Sequence, residues 1–181
     1  ETGADADQLS AIVGSSSPVG LRRTSISGAI LHASKLLDEA PFDVFRKVID
    51  ISGDGPNNHG QPVLPAREAA LANRIVINGL PLMTSDGPGS GFNIADLDAY
   101  YSECVIGGPG SFLVPVTSWD QFPEAIRRKL ILEIGGLPPV EQSVIPAQSS
   151  PGLGFRAPSE PYDCLIGEKI WDQRRWMFDD P

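Results

Sequence analysis

The run Val48-Ile49-Asp50-Ile51-Ser52 ends abruptly in Gly53-Asp54-Gly55-Pro56, and no other stretch limits the fold so much. β-branched residues in a short apolar run read as a buried strand. The Gly-Asp-Gly-Pro string reads as a turn. The strand therefore delivers the Asp54 carboxylate to one edge of a sheet, and in open α/β sheets ligands bind outside the carboxyl ends of the strands. Upstream, Gly20-Leu21-Arg22-Arg23-Thr24-Ser25 leads into an amphipathic stretch and puts hydroxyls at a helix N-terminus. Either Thr24 or Ser25 can cap that first turn. The two features together point to an oxygen-rich cation site.

The rest of the chain alternates in the same way. Residues 24–39 read as a helix with Ile26, Ile30, Ala33 and Leu37 on one face. Residues 47–52 are the first strand and 53–62 its loop. A short alanine-rich helix over 65–73 leads to a second strand at 75–80, and a glycine-rich loop covers 84–91. Residues 96–105 read as helical, Gly107-Gly108-Pro109-Gly110 as a tight turn, and 111–116 as a third strand. Ser118 caps a last helix running to Glu133, with Phe122, Ile126 and Leu130 as its core stripe. Short strands alternating with helical stretches predict an α/β fold with a parallel sheet of 47–52, 75–80 and 111–116 and helices on both faces. Before this, residues 6–13 suggest one or two helical turns broken at Gly14-Ser15-Ser16-Ser17-Pro18. After it, residues 135–161 are dense in Pro, Gly and Ser and read as extended chain without a core of its own. The hydrophobic cluster from Cys164 to Phe178 is expected to dock back on the domain.

A net charge of −9 over 181 residues excludes non-specific nucleic-acid binding and adhesion to anionic membranes as main roles. The basic pairs and triplets (Arg22-Arg23, Arg127-Arg128-Lys129, Arg174-Arg175) read as solvated faces. No run has transmembrane length. The two cysteines, Cys104 and Cys164, fit no zinc spacing with the two histidines. A disulfide between them is expected, which places the protein outside the cytosol; two separate buried thiols are the alternative. The chain starts at Glu1 rather than Met and so reads as processed, trimmed or a fragment, with Glu1-Thr2-Gly3 open to reading as a vector scar.

Several strings resemble a known family. Thr24-Ser25-Ile26-Ser27-Gly28-Ala29-Ile30 is similar to the threonine motif of von Willebrand factor A domains, and Val48 to Gly55 is similar to their aspartate motif. Three longer stretches, at 48–58, 75–81 and 97–110, resemble a bacterial, mostly exported subgroup of A-like domains of unknown function, and 127–134 fits that subgroup's last helix. The resemblance covers residues 20–135. It implies a partial doubly wound, Rossmann-like sheet and a metal-ion-dependent adhesion site. In that site Thr24 offers its hydroxyl to Mg²⁺, with Asp54 beside it, directly or through water. An open coordination position then takes an acidic group from a protein or peptide partner. The family's first motif, Asp-x-Ser-x-Ser, is absent, so the resemblance implies that the chain begins after the first half of the domain. Residues 1–19 are then a remnant of a preceding helix and loop, 20–135 an incomplete A-like domain and 136–181 an extension. Two oxygen donors plus water make a weak Mg²⁺ site, so weak or absent binding is expected of this chain alone. Strand 48–52 is left as an apolar edge open to association.

The leading expectation is a non-enzymatic, periplasmic or secreted binding module. Two rivals stand beside it: a metal-assisted hydrolase using Asp50 and Asp54, and a structural remnant without cation binding. Asp50, mid-strand, reads as a buried, hydrogen-bonded structural residue. His59 reads as a loop histidine and His32 as a structural or exposed one. Ser25, His59 and Asp54 form no recognisable hydrolase string, and Gly107–Gly110 lacks the lysine and hydroxyl of a phosphate loop.

Overall fold

The computed structural model describes residues 3–15, 23–41, 44–84, 94–134, 143–144 and 161–174. Helix α1 (Gly3–Ser15) precedes α2 (Ile26–Glu39), β1 (Lys47–Gly53), α3 (Val63–Ala72) and β2 (Ile75–Pro81). A helical stretch follows, α4 (Leu97–Tyr100) continuing into a π-turn (Tyr101–Val105). Then come β3 (Phe112–Leu113), a 3₁₀ turn (Trp119–Gln121), α5 (Phe122–Ile134), β4 (Ser143–Val144) and α6 (Ile166–Arg174).

The strands form one parallel sheet in the order β1-β2-β3-β4. β1 and β2 pair along their full length, from Lys47 against Ile75 to Gly53 against Pro81. The β2–β3 ladder runs on past Leu113: the Val114 and Val116 amides donate to the Gly79 and Pro81 carbonyls at 2.9 Å each. The expected third strand at 111–116 is therefore present as a ladder, though regular strand covers only two residues. Gly108 and Gly110 have φ of +92° and +74°, so the run before it is the tight turn its glycines suggest.

Period-2 alternation assigns the faces. Ile49, Ile51, Ile75 and Ile77 point to α2, α3 and the 97–105 stretch, in a cluster with Ile26, Ile30, Val63, Tyr100, Tyr101 and Val105. Leu80, Phe112, Val114 and Val116 form a second cluster with Ala125 of α5. Helices thus cover both faces, and the α/β class with a partial Rossmann-like sheet holds.

The structure corrects several details. α2 begins at Ile26, and Ser25 is its cap. α1 is a 13-residue helix, longer than one or two turns. The Ser118 side chain makes no capping hydrogen bond, and a 3₁₀ turn intervenes before α5. Leu130 is exposed, as is Ile131, whereas Lys129 is 7 % exposed. The buried stripe of α5 is centred on Ala125 and Lys129, because Lys129 reaches a carboxylate on the sheet. That carboxylate is Asp50, which was expected to be buried; its side chain is 32 % exposed. β1 is the end strand, and no described strand lies on its outer side. β4 falls within 135–161, where no regular element was expected. Residues 85–91 of the loop expected at 84–91, residues 16–18 of the break expected at 14–18, and Trp176 and Phe178 of the C-terminal cluster lie outside the described residues, whereas Gly14 and Ser15 still belong to α1.

Candidate functional site at the carboxyl edge of β1

The turn after β1 is fastened to the start of α2 by two asparagines. The Thr24 amide donates to Asn58 Oδ1 at 2.7 Å. In return the Asn58 and His59 amides donate to the Thr24 carbonyl at 2.9 and 3.1 Å. The Ser27 amide donates to Asn57 Oδ1 at 3.0 Å. Ser25 Oγ accepts from the Gly28 amide at 3.2 Å. The first turn of a helix leaves donors without intrahelical partners; here the cap and the loop asparagines satisfy several of them. Asparagine suits this task because its amide both donates and accepts.

Thr24 and the loop that starts at Asp54 therefore meet at the carboxyl edge of the sheet. The Thr24 side chain is half-buried and Asp54 is exposed. A hydroxyl and a carboxylate are donors of the kind Mg²⁺ takes. Two protein oxygens leave its other positions to water or further ligands, and among the described residues no group of three or more His, Cys, Asp or Glu gathers in ligating range. Beneath the loop, Tyr100 Oη accepts from the Asn57 amide at 3.1 Å. Burial pushes both the Tyr100 and Tyr101 hydroxyls well above the usual tyrosine range; neighbouring Tyr100 and then the Asp54 carboxylate raise Tyr101 further. These phenols stay neutral. Tyr101 Oη and Ser27 Oγ are buried without a hydrogen-bond partner among the described residues.

The C-terminal segment closes over this junction. Asn57 Nδ2 donates to Glu168 Oε1 at 2.7 Å and to the Gln61 carbonyl at 3.1 Å. Gly167 lies so near the loop that a Cβ there would overlap the Asn57 carbonyl. The Arg23 guanidinium stacks over Trp171, 4.8 Å from the ring centroid. Tyr162 meets Tyr100 edge-on with centroids 6.1 Å apart. Cys104 and Cys164 are disulfide-bonded, with Cα atoms 5.5 Å apart. The pair was expected from the count of cysteines; the roles of Asn57, Asn58, Gly167 and Glu168 were missed. Twin asparagines after Gly-Pro were the available signal, since their side chains commonly bond to neighbouring backbone.

The second acidic candidate sits elsewhere. Lys129 Nζ lies 2.5 Å from Asp50 Oδ2 and 3.5 Å from Glu133 Oε1, on the sheet face under α5. Asn78 Nδ2 donates to Glu133 Oε1 at 3.1 Å, and its Oδ1 accepts from the Phe112 amide at 3.2 Å. Asp50 thus belongs to an ion cluster that seats α5. Ser25 is a helix cap, and exposed His59 has Nδ1 3.4 Å from Arg23 Nη1.

The family whose pattern matches the chain, over residues 1–138, is described as proteins of unknown function (DUF1194). That match covers more than half of the sequence, and the chain belongs to this family. No curated protein and no solved structure matches it. No helix among the described residues is long and apolar enough to cross a membrane.

Proposed function

We propose that this member of the DUF1194 family is a binding module of the von Willebrand factor A type that takes an acidic group of a protein or peptide at the carboxyl edge of β1. The observation that supports the reading is the hydrogen bonding of the Thr24 main chain to Asn58 and His59, which holds Thr24 and the positive end of α2 against the loop that begins at Asp54. Thr24 and Asp54 are the proposed Mg²⁺ ligands, the metal supplying a Lewis-acidic anchor for the incoming carboxylate. Two such donors, with water in the other positions, hold Mg²⁺ weakly. The disulfide supports a periplasmic or secreted location, and the place of β1 at the end of the described sheet supports association with another strand.

The hydrolase alternative has less behind it, because Lys129 engages Asp50 under α5. The test is a titration of the full chain in Mg²⁺ with a millimolar capped pentapeptide carrying one glutamate, followed by amide resonances. Those of Thr24, Ser27, Asn57 and Asn58 should move, the glutamine analogue should leave them in place, and Asp54→Ala should remove the Mg²⁺ dependence. Equal shifts with both peptides would sink the reading.

A further inference from the structure

α6 contributes little to the main core. Of its segment, Tyr162, Cys164 and Ile166 are partly buried against the first cluster, and Leu165 is 42 % exposed. It also grips the loop that carries the proposed site: Glu168 on Asn57, Gly167 against the Asn57 carbonyl, and Trp171 beneath Arg23. The Glu168 carboxylate approaches Asn57, whose other side-chain atom accepts from an amide in the first turn of α2. It therefore stands where the dipole of that helix favours negative charge. Only one of its oxygens is satisfied; Glu168 Oε2 is buried without a hydrogen-bond partner among the described residues. Leaving a buried carboxylate oxygen unpaired is costly, and that cost offsets part of what the contact contributes. The Cys104–Cys164 bond lies just before the helix and would hold it nearby once lifted.

We propose that the Cys164–Arg174 segment is a removable intramolecular ligand. Resting on the acidic-group reading above, Glu168, held on Asn57 of the same loop, stands in cis for a partner's carboxylate, and Trp171 for a partner's aromatic ring three residues on. The partner that displaces it is accordingly a helical segment with a small residue, an acidic residue beside it and an aromatic residue three further along. Because a tethered competitor acts at high effective concentration, such a partner binds the resting protein weakly.

Native-state hydrogen exchange on the full, oxidised chain gives the first test. The amides of 166–174 should open together with those of Ser27 and Asn57, with protection at least a hundredfold below that of the β1–β2 ladder. Opening only with the whole sheet would overturn the proposal. Gly167→Ala gives the second, since alanine favours helix over glycine yet its Cβ collides with Asn57. Protection of α6 should fall tenfold or more while that of β1–β2 stays unchanged; an equal fall in both would mean that α6 is part of the core. A fluorescent peptide of residues 161–174 bearing Cys164→Ser should then bind the Gly167→Ala protein at least tenfold more tightly than wild type, and no binding to either would refute displacement. The same peptide with Glu168→Ala separates the two ideas. Loss of binding supports both, whereas undiminished binding keeps the removable segment and removes the acidic-group reading of the site.

Discussion

The two faces of the sheet are held in different ways. Under α2 and α3 the contact is dry: Ile49, Ile51, Ile75 and Ile77 meet Ile26, Ile30, Val63 and Ala66. Under α5 the apolar patch of Leu80, Phe112, Val114 and Val116 gives way toward β1 to Asp50, Asn78, Lys129 and Glu133. The first face gains its stability from area removed from water, which is non-directional. The second depends on one ammonium lying between two carboxylates, a geometry that fixes the rotation of α5. Breaking such a cluster costs far more than its presence contributes.

The largest expected effect falls on the dry face. Ile77→Ala, at a side chain with no exposure, should lower unfolding free energy by about 4 kcal/mol, read from the urea midpoint at unchanged m. On the charged face Lys129→Ala should cost about 3 kcal/mol by leaving Asp50 and Glu133 uncompensated, with Asp50's exposure pulling toward the lower end. Replacing the three charges together by Met, Val and Leu should recover most of that loss; if the triple variant is no better than Lys129→Ala, the cluster is not the seat of the effect.

A smaller effect separates the faces by pH. Burial, then the neighbouring Asp50 carboxyl, raise the Glu133 pKa above the usual glutamate range, against Asn78 and Lys129. A carboxyl raised in the folded state contributes stability that is full below its unfolded pKa of about 4.3 and is lost as pH rises through the folded value. Glu133→Gln should therefore gain on wild type as pH rises above about 4.3 in parallel urea titrations, and a loss with rising pH would contradict the burial of this charge. Smallest of all, Leu130→Gln should stay within about 0.5 kcal/mol of wild type, because Leu130 is 47 % exposed.

That last residue shows where the sequence was legible and where it was not. The apolar periods of 26–37, 47–52 and 75–80 sufficed to place α2, β1 and β2, because the dry face is chosen by hydrophobicity alone. The same logic put Leu130 inside α5 and failed, since Lys129 next to it is drawn in by Asp50, 79 positions away and invisible to any local period. At the candidate site, Thr24 and the Asp54 turn were legible from helix-start and turn chemistry. The asparagines that join them, and Glu168 arriving from a segment 111 positions beyond Asn57, were not, because each acts through a contact made only on folding.

The Cys104–Cys164 bond spans 60 positions of chain and has an effect on cleavage products. Its covalent ring contains β3, α5 and β4. A protease that cuts anywhere inside the ring leaves both fragments joined, so the nicked protein keeps its mass apart from one added water and still carries α6. The two pieces part only after a reductant is added. On a non-reducing gel such damage goes unseen, and a protein already cut would be counted as whole.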